Sequence, residues 1–295
     1  MAVSLRVAVC TNRRPGDVAE CLAALEAQVS ADTLALVTSG LPPDRVEAHS
    51  ETFSGSLLVE PRPGLSRARN RALAWAGDAA AVLAFVDDDA VAADGWREAL
   101  ERAWEEAPAE VACIGGPIRP RFRESPPAWF SDGIAHALTL LDRGPDVRDL
   151  DPTVEAVYGA NISFRAGPLR QVGGFDPRLG HAGGRSFFSE EDEAQRALHR
   201  LGHRVRYVPD AAVWHVIGPE RLTRRSFLER RLAYGAALGL RHARPRGQAA
   251  RQALVSGAGA VAATARGKQA LAMERAVRAA ENAGVVAAPL IARRG

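Results

Sequence analysis

The chain has 295 residues, of which 47% are hydrophobic and 25% charged, with a formal net charge of +3. That is enough chain for one large α/β domain or two small ones around a real core, and the composition excludes a disordered or fibrous protein. The small basic excess does not point to a nucleic-acid partner, although the arginines gathered near 221–251 keep a local basic face open.

Three scattered cysteines, Cys10, Cys21 and Cys113, form no CxxC pair. They read as reduced thiols in a cytoplasmic setting, without a disulfide framework or a zinc site. The opening "MAVSLRVAVCTNRRP" lacks the apolar core of a signal peptide, so none is expected. The uncharged stretch 252–265 is too short to span a bilayer. The high Ala, Arg and Gly content suggests a GC-rich bacterial genome.

The first third alternates apolar runs with helical spacing. "SLRVAVCT" is a strand, and 17–28 a helix with Val18, Cys21, Leu22 and Leu25 on one face. "TLALVTS" and "GSLLVE" are strands, 63–75 is a helix starting after Gly64, and "AVLAFV" is a fourth strand. A helix over 94–106, with Asp94 as its cap, and a strand "EVACIGGPI" follow. Strands alternating with helices predict βαβ units and a mainly parallel sheet, whose ligands bind beyond the carboxyl ends of the strands. Residues 119–153 read as a long loop around a site, with Trp129 and Phe130 as wall residues. Then come a strand "VEAVYGANISFRA", a helix over 189–201, a strand "HRVRYVPDAAVWHV", a helix over 222–241 and two further helices.

In "VLAFVDDDAVAADGW" three carboxylates end a buried apolar run. A solvated turn and a ligand site both fit. If the segment is extended, Asp87 and Asp89 point one way and Asp88 the other, and such a pair suits Mg²⁺ or Mn²⁺ on a diphosphate. In "FFSEEDEAQRAL", Ser189 and Asp192 have the spacing of a capping box, and a carboxylate there is kept ionised by the helix dipole. That serves structure and general-base chemistry alike. His215 follows an apolar strand and, alone, reads as a structural histidine. In "RPGLSRARNRAL", Arg62, Arg67, Arg69 and Arg71 surround a helix start with Leu65, Ala68 and Ala72 inward; a solvated helix and a phosphate contact both fit. Asn161 lies inside a strand, where an amide is disfavoured unless it bonds something. No GxGxxG follows the first strand, and no GxxxxGK[ST] or GxSxG occurs.

Taken in order, "VAVCTNRRPGDVAECLAALEAQ", "RPGLSRARNRAL", "FVDDD", "YGANISFRAGPLRQVGGFDPRLG" and "SEEDEAQRALHRLGHRVRYVPDAAVWH" resemble the family 2 glycosyltransferases of GT-A fold over about residues 3–220. The resemblance implies a Rossmann-like, mainly parallel sheet flanked by helices over 1–220, with a helical extension over 221–295. It implies a nucleoside-diphosphate-sugar donor held by Thr11, Arg69, Asn70, Asp87, Asp88 and Asn161. It implies a Mn²⁺ or Mg²⁺ ion on Asp89 and His215, and a base from the pair Glu191 and Asp192, with Asp192 preferred. The family usually has an aspartate at the end of the second strand; here "LALVTSGLP" has none, and Thr38 or Ser39 stands in its place.

The leading expectation is therefore a metal-dependent inverting transferase acting on a small-molecule, glycan or lipid-linked hydroxyl or amine. A non-catalytic nucleotide-sugar-binding homologue and a sugar nucleotidyltransferase compete with it; the latter would release pyrophosphate. The Ala/Arg-rich tail fits a helix lying on a membrane surface, a packed extension or a dimer contact, so a peripheral membrane location stays open beside the cytoplasmic one.

Overall fold

The computed structural model of the protein describes residues 3–77, 82–182, 185–187, 190–240 and 245–293. Along the chain run β1 (Leu5–Thr11), α1 (Pro15–Glu26), β2 (Leu34–Ser39), α2 (Pro43–Ser50), β3 (Ser56–Glu60), α3 (Leu65–Ala76), β4 (Val82–Asp87), β5 (Ala90–Ala92), α4 (Trp96–Glu106), β6 (Val111–Gly115) and β7 (Ile118–Phe122). After a 3₁₀ helix (Asp132–Leu138) come β8 (Arg148–Leu150), β9 (Asn161–Arg165), α5 (Ala166–Gln171), β10 (Gly180–Ala182), β11 (Arg185–Phe187), α6 (Glu190–Arg200), β12 (Arg204–Tyr207) and β13 (Val213–Ile217). The chain continues with α7 (Arg224–Leu240), α8 (Arg246–Ala265) and α9 (Gln269–Arg293).

Two compact units result. The first holds Met1–Arg121, Leu141–Gly183 and Glu190–Val216. Its main sheet has the order β3-β2-β1-β4-β9-β6-β12-β8. Pairing is parallel from β3 through β4 and between β6 and β12; β9 runs antiparallel to both of its neighbours and β8 antiparallel to β12. The mainly parallel α/β sheet expected from the sequence is thus present. All six residues of β2 are buried, as a strand covered on both faces requires. Two indoles of α4 satisfy the polar side chains that β9 carries inward: Trp96 Nε1 donates to Asn161 Oδ1 at 3.0 Å, and Trp104 Nε1 to Ser163 Oγ at 2.9 Å.

Three local expectations change. Helix α4 starts at Trp96 behind Gly95, whose φ of 73° is left-handed, so the cap position is Gly95 and not Asp94. The run 203–216 is two strands in different sheets, β12 and β13, because the chain turns at Pro209–Ala212. The stretch 119–153 contains β7, the 3₁₀ helix and β8, so it is no structureless loop.

The second unit holds Phe122–Leu140, Gly184–Ser189 and Ile217–Gly295. Helices α7 and α9 approach so closely that a methyl on Gly235 would meet the Glu281 carbonyl, and one on Gly284 the Leu232 carbonyl. Trp129, read from the sequence as a wall residue, is a core residue of this unit. It is buried in a cluster with Ile134, Leu138, Phe227 and Met273, its ring edge-on to Phe227 at 5.2 Å, and Phe130 packs against that cluster.

Candidate functional site

Strand β4 ends at Asp87, and Asp88 and Asp89 form the turn into β5. The strict alternation expected for the three carboxylates therefore stops after the first. Asp88 and Asp89 instead share one partner, the Arg13 guanidinium, at 3.4 and 3.0 Å. Asp88 also accepts the Thr11 hydroxyl at 2.6 Å, and the Arg13 amide donates to the same hydroxyl, which ties the end of β1 to the acidic turn. Burial pushes the Asp88 carboxyl up to about 7; Arg13 opposes the rise and Asp89 adds to it.

The pairing of β13 with β5 sets His215 opposite Ala90, and there its Nε2 lies 3.0 Å from Asp89 Oδ1. His215 is buried, and the Val216 amide donates to the Asp89 carbonyl at 2.8 Å. The structure thus brings together the two residues expected to ligate a cation. A carboxylate oxygen with an imidazole nitrogen is a donor set that Mn²⁺ accepts. Among the described residues no three His, Cys, Asp or Glu side chains converge as a complete metal shell. A cation here would draw its remaining ligands from water and a diphosphate, as Mg²⁺ and Mn²⁺ commonly do.

Asp87 turns the other way, to Arg69 at 3.3 Å. Arg69 lies on α3 and is buried, so of the two readings its stretch allowed, a solvated helix does not hold at this position. The positions 68, 69, 72, 73 and 76 are all buried, so helical spacing places Arg69 on the inward stripe. Its Nη1 donates to Glu190 at 2.7 Å and lies 3.7 Å from Glu191. One guanidinium therefore joins the end of β4 to the first turn of α6, 121 residues away from it in sequence. Burial raises the Glu190 carboxyl to about 8, with Glu191 adding to the rise and Arg69 opposing it. Burial would lower the Arg69 pKa, but Glu190, Glu191 and Asp87 hold it above the usual value.

Gly159 leaves room for that guanidinium: a methyl there would run into Arg69 Nη2. The Gly159 amide also donates to Glu191 Oε1 at 3.4 Å. Gln195 clamps the same segment to α6, accepting from the Val157 amide at 3.1 Å and donating to the Val157 carbonyl at 2.9 Å. Asp192, in the first turn of α6, is buried with Arg196 at 4.0 Å. Ser189 lies outside the described residues, and with it the capping box.

Two expected donor contacts have structural duties. Asn70 spans the Phe175 backbone, donating to its carbonyl at 2.7 Å and accepting from its amide at 2.9 Å. Asn161 accepts from Trp96 and donates to the carbonyls of Pro117 and Ala211 at 3.1 and 2.7 Å. At the end of β2, Ser39 accepts from the Gly64 amide at 3.0 Å and Thr38 reaches the Leu58 carbonyl at 3.4 Å, so both hydroxyls have backbone partners. Arg13, Glu190 and Gln195 were missed as members of the cluster. The inward stripe of α3, with an arginine in it, was the signal that a buried partner such as Glu190 existed.

The model of glycosyl transferase family 2 matches residues 7–170, more than half of the chain. The protein belongs to this family. It is 32% identical over 135 residues to the glucosyl-dolichyl phosphate glucuronosyltransferase of Haloferax volcanii, an alignment covering 45% of this chain. The chain spans only 42% of that relative. Among solved structures it is similar to a mannosyltransferase from Pyrobaculum calidifontis in complex with GDP-Man and Mn²⁺, with a TM-score of 0.56 and 18% identity over 100% of this chain and 76% of that one. It is also similar to GalNAc-T7 with UDP, GalNAc and Mn²⁺, with a TM-score of 0.53 and 14% identity over 81% of this chain and 50% of that one. These likenesses establish the GT-A fold. No helix among the described residues is long and apolar enough to cross a membrane.

Proposed function

We propose that the protein transfers a sugar from a nucleoside-diphosphate sugar to an acceptor hydroxyl or amine, with inversion at the anomeric carbon. The observation that carries this reading is the meeting of the β4 carboxylates with the start of α6 around Arg69. Family membership and neighbours solved with GDP-Man or UDP and Mn²⁺ support it. On this reading residues 1–220 form the catalytic domain and 221–295 a helical extension.

Asp87 and Asp88, with Thr11, face the donor diphosphate and ribose, and Asp89 with His215 holds the divalent cation. When bound, Mn²⁺ or Mg²⁺ supplies charge neutralisation at the leaving diphosphate. Arg13 pairs with Asp88 and Asp89 and would balance part of their charge beside a bound cation. Arg69 and Asn70 act by positioning, through Glu190, Glu191, Asp87 and the Phe175 backbone, and Asn161 holds β9 in place. Asp192 takes the proton of the attacking group. The new bond forms between acceptor and anomeric carbon as the carbon–phosphate oxygen bond breaks, and the nucleoside diphosphate departs. Because Arg69 engages both Glu190 and Glu191, those two carboxylates stabilise the cluster and leave the base role to Asp192.

The carboxylate-free end of β2 favours a second reading, in which the chain binds a nucleotide sugar without turning it over. One experiment separates the readings. The protein is incubated with a panel of nucleotide sugars, Mn²⁺ and simple acceptors, and the released species are identified. Release of a nucleoside diphosphate, abolished in Asp192→Asn, supports the transferase. Pyrophosphate release would make it a nucleotidyltransferase, and donor binding without turnover would favour the non-catalytic reading.

A further inference from the structure

Helix α8 carries an apolar face that none of the described residues covers. Its buried positions, Ala249, Ser256 and Ala263, are spaced by seven and form one seam. At about 100° per residue the opposite side holds Leu254, Ala258, Val261 and Ala265, with Val255 beside them. Leu254 is 76% exposed, Val261 72% and Val255 60%. An inward small-residue seam with an outward branched-aliphatic face reverses the ordinary arrangement of a surface helix.

The charges around this face have one sign. Arg251 is on the exposed side near the start of α8, and Arg266 and Lys268 follow the helix's end, while Arg246 turns back to donate to the Val286 carbonyl of α9 at 2.9 Å. Between Arg230 and Met273 every charged residue is Arg or Lys; the flanking carboxylates are Glu229 and Glu274. Glu229 pairs with Arg225, and Glu274 accepts the Ser131 hydroxyl.

We propose that the outer face of α8 docks on an anionic lipid surface. Its aliphatic side chains enter the headgroup boundary, and Arg251, Arg266 and Lys268 meet the lipid phosphates. A second copy of the chain fits this face less well. Two α8 helices laid together, parallel or antiparallel, bring arginine against arginine, with no carboxylate on either helix to offset the repulsion. The docking lies on the membrane and does not span it, in keeping with the absence of a spanning helix among the described residues. It does not rest on the donor chemistry, because α8 contributes none of the residues assigned to transfer.

The test is sedimentation of the full chain with vesicles of phosphatidylcholine alone or mixed with phosphatidylglycerol, in low and high salt. The chain should partition onto the anionic vesicles, lose most of that binding at high salt, and bind neutral vesicles poorly. Leu254→Asp with Val261→Asp, both on exposed positions, should reduce partition about tenfold or more. Arg251→Glu with Arg266→Glu should reduce it on anionic vesicles only. Circular dichroism checks that both variants are folded. Absence of binding, equal binding to neutral vesicles, or a dimer by light scattering that Leu254→Asp dissolves would each overturn the proposal.

Discussion

Arg69 Nη1 donates to Glu190 Oε1 at 2.7 Å, with both side chains almost wholly withdrawn from solvent. A buried pair of this kind is weak evidence for added stability, but removing one partner leaves a charge with no water and no counter-ion. Here the uncompensated charge would fall on Asp87 and Glu191, and Glu190 would lose a buried hydrogen-bond partner. Arg69→Met should therefore lower the unfolding free energy by about 3–5 kcal/mol, read from urea denaturation. Little or no change would mean that the cluster is solvated in solution.

The same pair gives a pH dependence. Glu190 has its carboxyl raised from 4.5 to about 8 by burial, so the folded chain holds a proton that the unfolded chain gives up near 4.5. This group's contribution is most favourable below the unfolded pKa and is lost as pH rises from about 4.5 to about 8. Glu190→Gln removes the titration. The melting temperature of the variant relative to the wild type should rise across that window and level off above it. A pH-independent difference would show that Glu190 is ionised throughout.

Gly159 is the companion of Arg69. Its Cα leaves space that a methyl would take from the guanidinium, while its amide serves Glu191. Gly159→Ala should cost about 1–3 kcal/mol. If the cause is the guanidinium, Gly159→Ala combined with Arg69→Met should cost less than the sum of the two single changes. Additive costs would place the strain elsewhere.

Much of the first unit was legible because its signals are local. The run "LALV" within "TLALVTS" is apolar on both faces, as a parallel strand covered on both sides requires. The acidic turn and the start of α6 were legible as chemistry because carboxylates cluster there in sequence. Contacts made at long range were not legible. No spacing rule tells that Arg69 reaches a residue 121 positions away, or that Asn161 is held by Trp96 and two carbonyls. The packing of Trp129 was hidden for a related reason: its stretch is rich in proline, and its partner Phe227 lies far along the chain. Asp94 misled because capping preference is a side-chain rule, and the chain instead enters α4 through the left-handed backbone of Gly95.

The central claim is that the cluster of Asp87, Asp88, Asp89 and His215 receives a nucleoside diphosphate together with a divalent cation. Calorimetric titration with UDP, GDP, dTDP and CDP, with and without Mn²⁺, tests it on the wild type and on Asp89→Ala. One of the four should bind tightly, with binding that depends on Mn²⁺ and is lost in the folded variant. Failure of all four to bind the folded wild type, or equal binding by the variant, would contradict it.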